Sequence, residues 1–402
     1  MSKNEHIAPA IRFEFSDNYK KYQLSKLMSR VSENNRDEEF SIDDILSLST
    51  RYGIVDRKEL LDDTYDKVNH KNYIKTRLND FVFGKSISSN FPYGVFKANK
   101  VRDGLLSTLY FTFKVSNKVL PSYLDCYFSH QNRANNFLKK YVLVGDRYIT
   151  VDPDDLLKGK IYIPSSSKEQ QKITSFFSVI DCKINSLSNK KELLEEYKRG
   201  VAQKLFSQKI RFKNDKGKEF PKWNYKNGNK VFKSISDKDH NSDLPILAIT
   251  QEHGAIPREL INYKISVSEK SVSTYKVVQK GDFIISLRSF QGGIEYSNYK
   301  GICSPAYIVL RPFVDIDDQF YKHYLKTESY VKELNRKLEG IRDGKMVSYK
   351  YFSEILLPFP HKDEQIKIAN FLSTIDKKIG AVDKQLQETV EWKKGLLQKM
   401  FC

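Results

Sequence analysis

The sequence predicts a mixed α/β (α+β) architecture: two similar domains joined by two long antiparallel helices that form a coiled coil, with an internal pseudo-two-fold repeat. Three observations predict it. A long helical pattern occurs twice, from Glu169-Gln170 to Gly200, Gln203-Lys204 and Phe206, and again from Glu364-Gln365 to Gly395, Gln398-Lys399 and Phe401, an offset of 195 residues. Matching anchors precede each helix at offsets of 195 to 202. Between the anchors little matches, so a framework has been kept while its surface has diverged.

The anchors are spread through both copies. Ile11-Arg12-Phe13 returns as Ile210-Arg211-Phe212, and Ile45-Leu46-Ser47-Leu48 with Gly53 returns as Ile246-Leu247-Ala248-Ile249 with Gly254. Asp80-Phe81 parallels Asp282-Phe283, and Gly104-Leu105-Leu106-Ser107 with Tyr110 parallels Gly301-Ile302-Cys303-Ser304 with Tyr307. A period this long lies far beyond the roughly 20 to 50 residues of solenoid repeats. It indicates tandem duplication of a whole domain with its helix, and divides the chain into 1–160, 161–209, 210–360 and 361–402.

The β-rich stretches Leu78 to Phe83, Leu109 to Val115, Lys280 to Leu287 and Ala306 to Leu310 carry aromatic and β-branched residues and read as strands. Tyr123 to Lys140 and Asp318 to Leu338 each read as one helix. Residues 165 to 206 read as a long helix opened by a capping box, Ser166 with Glu169 or Ser167 with Gln170. Its apolar series, Ile173, Phe177, Ile180, Ile184, Leu187, Leu194, Val201 and Leu205, keeps three-and-four spacing and is interrupted by Lys191 and Lys198. The second copy follows the same steps at Ile368, Leu372, Ile375, Ile379, Val382, Leu386, Leu396 and Met400, interrupted by Thr389 and Lys393. Each helix has one stripe to bury, and packing the two stripes together is the economical solution. Residues 169 to 206 as continuous helix would span about 57 Å.

Composition narrows the function classes. Lys and Arg number 68 against 50 Asp and Glu, a formal charge of +18 spread along the chain, which points to a polyanionic partner. No apolar run approaches the roughly 20 residues of a membrane span, and the N-terminal residues lack a signal-peptide core, so a cytoplasmic location is expected. The four cysteines, Cys126, Cys182, Cys303 and Cys402, stand apart with no histidine at zinc spacing, and no metal site is expected.

Fragments that suggest catalysis do not assemble. Asn90-Phe91-Pro92-Tyr93 approximates the Asn-Pro-Pro-Tyr loop of amino-methyltransferases, but its second residue is wrong and no glycine-rich loop follows a strand. Pro153-Asp154 with Lys158 approaches a metal-dependent nuclease motif without its second strand carboxylate. No Ser/His/Asp or phosphate-loop constellation is visible. Neither a catalytic residue nor a cofactor site is expected in this chain.

Taken together, the Ile-Arg-Phe elements, the Glu-Gln openings and the Gly-x-x-Gln-Lys-x-Phe endings make the chain resemble the specificity subunit of type I restriction-modification systems over essentially its full length. Gly281-Asp282-Phe283-Ile284-Ile285 through Arg288 and Gly292-Gly293, then Gly301 to Tyr307, is similar to that family's target-recognition domains. The first copy departs from the pattern. Asn79 replaces the glycine, Thr108 replaces Pro305, and no arginine matches Arg288.

The resemblance implies that each domain reads one half of a split, asymmetric site in double-stranded DNA. The helices would set the gap and dock two methyltransferase subunits, which restriction and translocase subunits join. S-adenosylmethionine, ATP and Mg would then belong to those partners. Because side chains read base edges in the major groove while Lys and Arg hold phosphates, the candidate DNA contacts are the loop residues. In the first domain they are Lys85, Ser86, Ser88, Ser89, Asn90 and Arg147; in the second, Arg288, Ser289, Gln291, Arg342 and Lys345. Candidates for partner docking on the helices are Phe176, Tyr197, Phe206, Phe371, Trp392 and Phe401. Two other classes compete: a stand-alone DNA-modifying enzyme, which lacks its motifs here, and a protein-binding coiled-coil adaptor, which leaves two large diverged basic domains unexplained.

Overall fold

Each copy of the repeat folds around a four-stranded antiparallel sheet with the same strand order. In the computed structural model the first sheet runs Met28–Val31, Tyr110–Val115, Phe81–Gly84, Val95–Ala98, and the second runs Phe232–Ile235, Ile308–Pro312, Phe283–Ile285, Glu295–Tyr296. The structure describes residues 8–49, 53–59, 69–85, 87–145, 149–241, 243–261, 272–336 and 347–402. Packing divides the chain into two units, Met1–Ser188 with Lys384–Cys402, and Asn189–Asp383. This division cuts across boundaries drawn at the helix starts, because each long helix gives one half to each unit.

Strand alternation explains the layers. Successive residues of a strand face opposite sides. Phe81 and Phe83 enter the large core of the first unit, while Val82 between them packs with Leu46, Ile54 and Leu106. The second unit repeats this: Phe283 and Ile285 face its large core, and Ile284 packs with Leu247, Val278 and Val309. On the outer side lie two-stranded antiparallel pairs, Leu46–Ser49 with Gly53–Asp56 and Leu247–Thr250 with Gly254–Pro257. The strand-entry turns also agree. Asn79 and Gly281 both adopt the left-handed region, φ 73° and 95°. Asparagine tolerates that region better than other residues with a Cβ, so its replacement of glycine preserves the turn.

The inner face of each sheet is covered by short helices and then by the long ones. The single helix expected after each sheet is in fact a pair: Pro121–Ser129 with Gln131–Leu138, and Asp318–Tyr324 with Glu328–Arg336. His130 breaks the first with extended backbone, its ring nitrogen accepting from the Arg133 amide. Thr327 caps the second helix of the other pair by accepting from Tyr330 N.

The long helices are Ser167–Phe206 and Lys362–Lys399. Within each unit their halves run antiparallel. Lys393 pairs with Asp181 at 2.5 Å in the first unit; Lys191 with Asp383 at 2.7 Å and Lys198 with Asp376 at 2.6 Å in the second. The lysines that interrupt the apolar seam are therefore ion-paired across the helices. The stripe is buried at Ile173, Phe177, Ile180 and Leu187, and at Ile368, Leu372, Ile375 and Val382, and half-buried at Ile184, Leu194, Val201, Ile379, Leu386 and Leu396.

No capping box forms at Glu169 or Gln170. Both side chains are buried and reach away from their own helix. Glu169 accepts from Arg12 Nε and Nη2 at 2.7 Å each. Gln170 accepts from Leu120 N at 2.8 Å and donates to the Pro164 carbonyl at 3.0 Å. In the second unit Glu364 accepts from Arg211 Nε and Nη2 at 2.9 and 2.8 Å. Gln365 there accepts from Asp317 N and donates to the Pro360 carbonyl, both at 2.9 Å. The repeated Glu-Gln is a clamp tying the Ile-Arg-Phe element and the domain to the helix.

Candidate nucleic-acid interface

The loop that follows the strand Phe283–Ile285 of the second sheet is the best-defined candidate surface. Ser286 to Gly293 forms a tight turn followed by a short helix, Ser289–Gly292. Ser289 is buried, and its hydroxyl accepts from Ser286 N at 2.8 Å; the Ser286 hydroxyl in turn accepts from Arg288 N at 3.2 Å. Both serines thus fold the loop, and Ser289 is removed from the candidates for base contact. Arg288 and Gln291, by contrast, stand exposed, as groups able to pair with guanine and adenine edges must.

Elements around the loop fix its backbone. Asn335 Nδ2 donates to the Phe290 carbonyl at 2.7 Å, and Gln251 Nε2 to the Arg288 carbonyl at 3.3 Å. Gly293 adopts φ 86°, and a Cβ there would lie 2.1 Å from the Leu325 carbonyl oxygen. Only glycine permits that approach. Beneath the loop, Lys326 Nζ donates to Glu295 Oε1 at 2.5 Å. Burial pushes the Glu295 carboxyl above its ordinary range, with Lys326 opposing.

The first unit has a loop at the same place, after Phe81–Gly84. Ser88 and Phe91 exchange backbone hydrogen bonds, and the Ser88 hydroxyl accepts from Phe91 N at 3.2 Å. Ser89 and Asn90 are exposed at its tip. Asn135 Nδ2 donates to the Asn90 carbonyl at 3.2 Å, so each unit uses an asparagine amide from its short helix to hold its loop. Asn90-Phe91-Pro92-Tyr93 is accordingly a loop turn. Pro153 and Asp154 open a short helix capped by Asp152, and Lys158 pairs with Asp155 at 2.6 Å. Ser86, Arg147, Arg342 and Lys345 lie outside the described residues.

Lys85 packs its ammonium over the Phe111 ring, 4.1 Å from the centroid, and Arg30 lies over the same ring at 5.9 Å. Many other cations of this unit are already committed to carboxylates. Arg102 pairs with Asp44 and Asp56, and Arg77 with Glu39 and Asp103. Glu33, Asp37 and Glu39 form the one acidic triad of metal-binding dimensions among the described residues. Its centre is taken by the buried Lys75 ammonium, 2.7 to 2.8 Å from all three.

The aromatic residues of the long helices divide into two groups. Phe401 packs on Tyr123, Tyr127 and Phe177 in the core of the first unit, and Phe206 on Phe320 and Tyr324 in the core of the second. Their burial removes both from the docking candidates. Phe176 meets Phe13, and Phe371 meets Phe212, edge-on at 5.6 and 5.7 Å, holding the Ile-Arg-Phe elements on the helices. Tyr197 and Trp392, at matching repeat positions, remain more than half exposed. Trp392 borders a groove of about 360 Å³ with Lys183, Leu187 and Glu388.

Residues 212–391 match the Type I restriction modification DNA specificity domain. That stretch belongs to the type I restriction-modification DNA specificity domains. It is 26% identical over 323 residues to the Type I restriction enzyme MjaVIII specificity subunit of Methanocaldococcus jannaschii, covering 75% of this chain and 74% of that protein. It is likewise 26% identical over 301 residues to the Putative type I restriction enzyme MjaX specificity subunit of the same organism, covering 71% and 68%. The fold is that of the type I restriction-modification system S subunit from M. genitalium, with a TM-score of 0.59, 15% identity and coverage of 98% and 99%. A structure described as the basis of complex assembly and conformational transition of the type I R-M system is similar at a TM-score of 0.52 and 15% identity, covering 97% and 99%.

No sequence motif marks the residues that hold the loops. Asn135, Gln251 and Asn335 are distant in sequence from the backbone they hold. The equal spacing of Asn90 to Asn135 and Phe290 to Asn335, 45 residues in each case, is the signal that could have found the two loop clamps. Among the described residues, no helix is long and apolar enough to cross a membrane.

Proposed function

We propose that this specificity subunit reads a bipartite, asymmetric DNA site, one half per domain, and takes no part in bond making or breaking. The observation that carries the reading is the duplicated framework with unlike loops: Arg288 and Gln291 exposed in one copy, Ser89 and Asn90 in the corresponding loop of the other. Identical scaffolds presenting different hydrogen-bonding groups suit two different half-sequences.

The helices would set the gap between half-sites and dock two methyltransferase subunits, with restriction and translocase subunits joining that core. Tyr197 and Trp392, exposed at matching positions, are the anchors best suited to such docking, since buried aromatic anchors dominate interface energies. S-adenosylmethionine, ATP and Mg would be held by the partners. The work would take place in the cytoplasm, where the DNA is.

Sequencing of methylated bases in cells carrying this chain with its methyltransferase tests the proposal. One motif with two defined halves and a fixed nonspecific gap is expected, together with no methyl transfer to DNA by the purified chain alone. An uninterrupted motif, or labelled methyl transferred by the chain without a partner, would overturn it.

A further inference from the structure

We infer that Arg30 and Lys85 of the first unit, converging over the ring of Phe111, form a clasp for one phosphodiester group of the DNA backbone. The inference rests on the reading of this chain as a DNA-binding subunit and adds to it a contact that no motif marks. Arg30 lies on the edge strand Met28–Val31, Phe111 on its neighbour Tyr110–Val115, and Lys85 just beyond Phe81–Gly84. The sheet register therefore brings together two strand residues and one at the end of a third strand.

The physical case is one of unbalanced charge. The two cations share one ring, at 5.9 and 4.1 Å from its centroid. Among the described residues neither makes an ion pair, although acids elsewhere in this unit have captured Lys75, Arg77, Lys100 and Arg102. The ring's electron-rich face attracts each cation, but it leaves their mutual repulsion in place. Burial holds the Lys85 ammonium below its ordinary pKa, and Arg30 pushes it lower. An anion between them would relieve both effects, and a guanidinium beside an ammonium matches the oxygens of a phosphate.

Position agrees with this chemistry. Lys85 opens the loop that carries Ser88, Ser89 and Asn90, so a backbone contact here would set the register of that loop on the duplex. At the corresponding places of the second sheet stand Ser234, Leu287 and Ile308, with neither cation nor ring. The clasp therefore belongs to one half-site only.

The test is the salt dependence of duplex binding by the full chain, with Arg30→Gln, Lys85→Gln and the double variant. Releasing one phosphate from its cations flattens the slope of log affinity on log salt by about 0.9. Between 50 and 200 mM salt, wild-type binding should therefore weaken about three- to fourfold more than that of the double variant. Each single variant should show part of this flattening, and the weakening should be alike on specific and random DNA. An unchanged slope in a double variant whose melting temperature matches wild type would overturn the assignment. Weakening confined to one target sequence would also do so, making the pair readers of bases. Inorganic phosphate alone should not raise the melting temperature of wild type above that of the double variant. Such a rise with unaltered DNA binding would make this a free-anion site instead. A wild-type chain that bound no duplex at all would sink the DNA-binding reading itself and the clasp with it, an outcome distinct from an unchanged slope.

Discussion

Arg12 and Glu169 are joined by two hydrogen bonds of 2.7 Å although 157 residues separate them. The Glu169 side chain is fully buried, and that guanidinium offsets its removal from water. Arg211 and Glu364 repeat the arrangement, with one difference: Trp223 Nε1 also donates to Glu364, at 2.9 Å. Removing one partner of a buried pair strands the other's charge and costs about 3 to 5 kcal/mol.

Arg12→Ala should therefore destabilise the chain by that order. Arg211→Ala should cost about 1 to 3 kcal/mol less, since a hydrogen bond to the charged Glu364 survives. Thermal or denaturant unfolding of the two variants measures the difference, and equal destabilisation would show that Trp223 contributes nothing to holding that carboxylate.

Asp80 and Asp282 occupy the same turn in the two units but have different company. Both accept a backbone amide, from Arg77 and from Gln279. Asp282 in addition takes two hydrogen bonds of 2.7 Å from Arg311, where the first unit has Lys114. Burial raises the Asp80 carboxyl to about 6, with the Arg77 amide, Lys114 and Arg77 opposing and Asp103 adding to the rise. A folded-state pKa above the unfolded value of 3.8 gives stability that is fully present below that value and is lost as pH rises through about 6. Asp80→Asn keeps an acceptor without the charge. It should be near neutral at pH 4 and gain up to about 3 kcal/mol on wild type by pH 7. Asp282→Asn should instead destabilise at pH 7, by weakening the Arg311 contact. Equal effects of Asp80→Asn at both pH values would contradict the assignment.

Arg288→Ala should relax recognition in one half-site by roughly 1 to 3 kcal/mol, the value of a bidentate base contact. Asn335→Ala, which leaves the Phe290 carbonyl unheld, should blur the same half-site by about 1 kcal/mol. Affinity for random DNA should hardly move in either case. Competition between specific and mismatched duplexes provides the measurement. Equal weakening on all sequences would reassign Arg288 to the backbone and Asn335 to general stability.

What could be read from the sequence was what repeats in it. The apolar seam and the Asp-Phe strand starts are local periodic signals, and they lie where expected. Glu169 looks like a capping residue because Ser166 stands at the right distance, yet its partner Arg12 is remote. Lys191 and Lys198 look like flaws in a stripe because Asp383 and Asp376 lie on the other helix. Ser289 resembles a free loop hydroxyl until the turn closes on it. His130 interrupts an apolar pattern that a helix could have carried, and only its cap to Arg133 reveals the break. For Glu169, Lys191 and Lys198 the deciding partner is remote in sequence, whereas for Ser289 and His130 it lies three residues away and depends on how the backbone turns.

Each domain is expected to read its own half of the site. Residues 11 to 160 should be exchangeable for the corresponding domain of another specificity subunit, with the assembled complex retained. Sequencing of the bases methylated by that complex is the direct measurement. The half-sequence read by the exchanged domain should change to that of the donor while the other half stays as it was. A folded, active complex in which both halves changed, or neither did, would contradict the account.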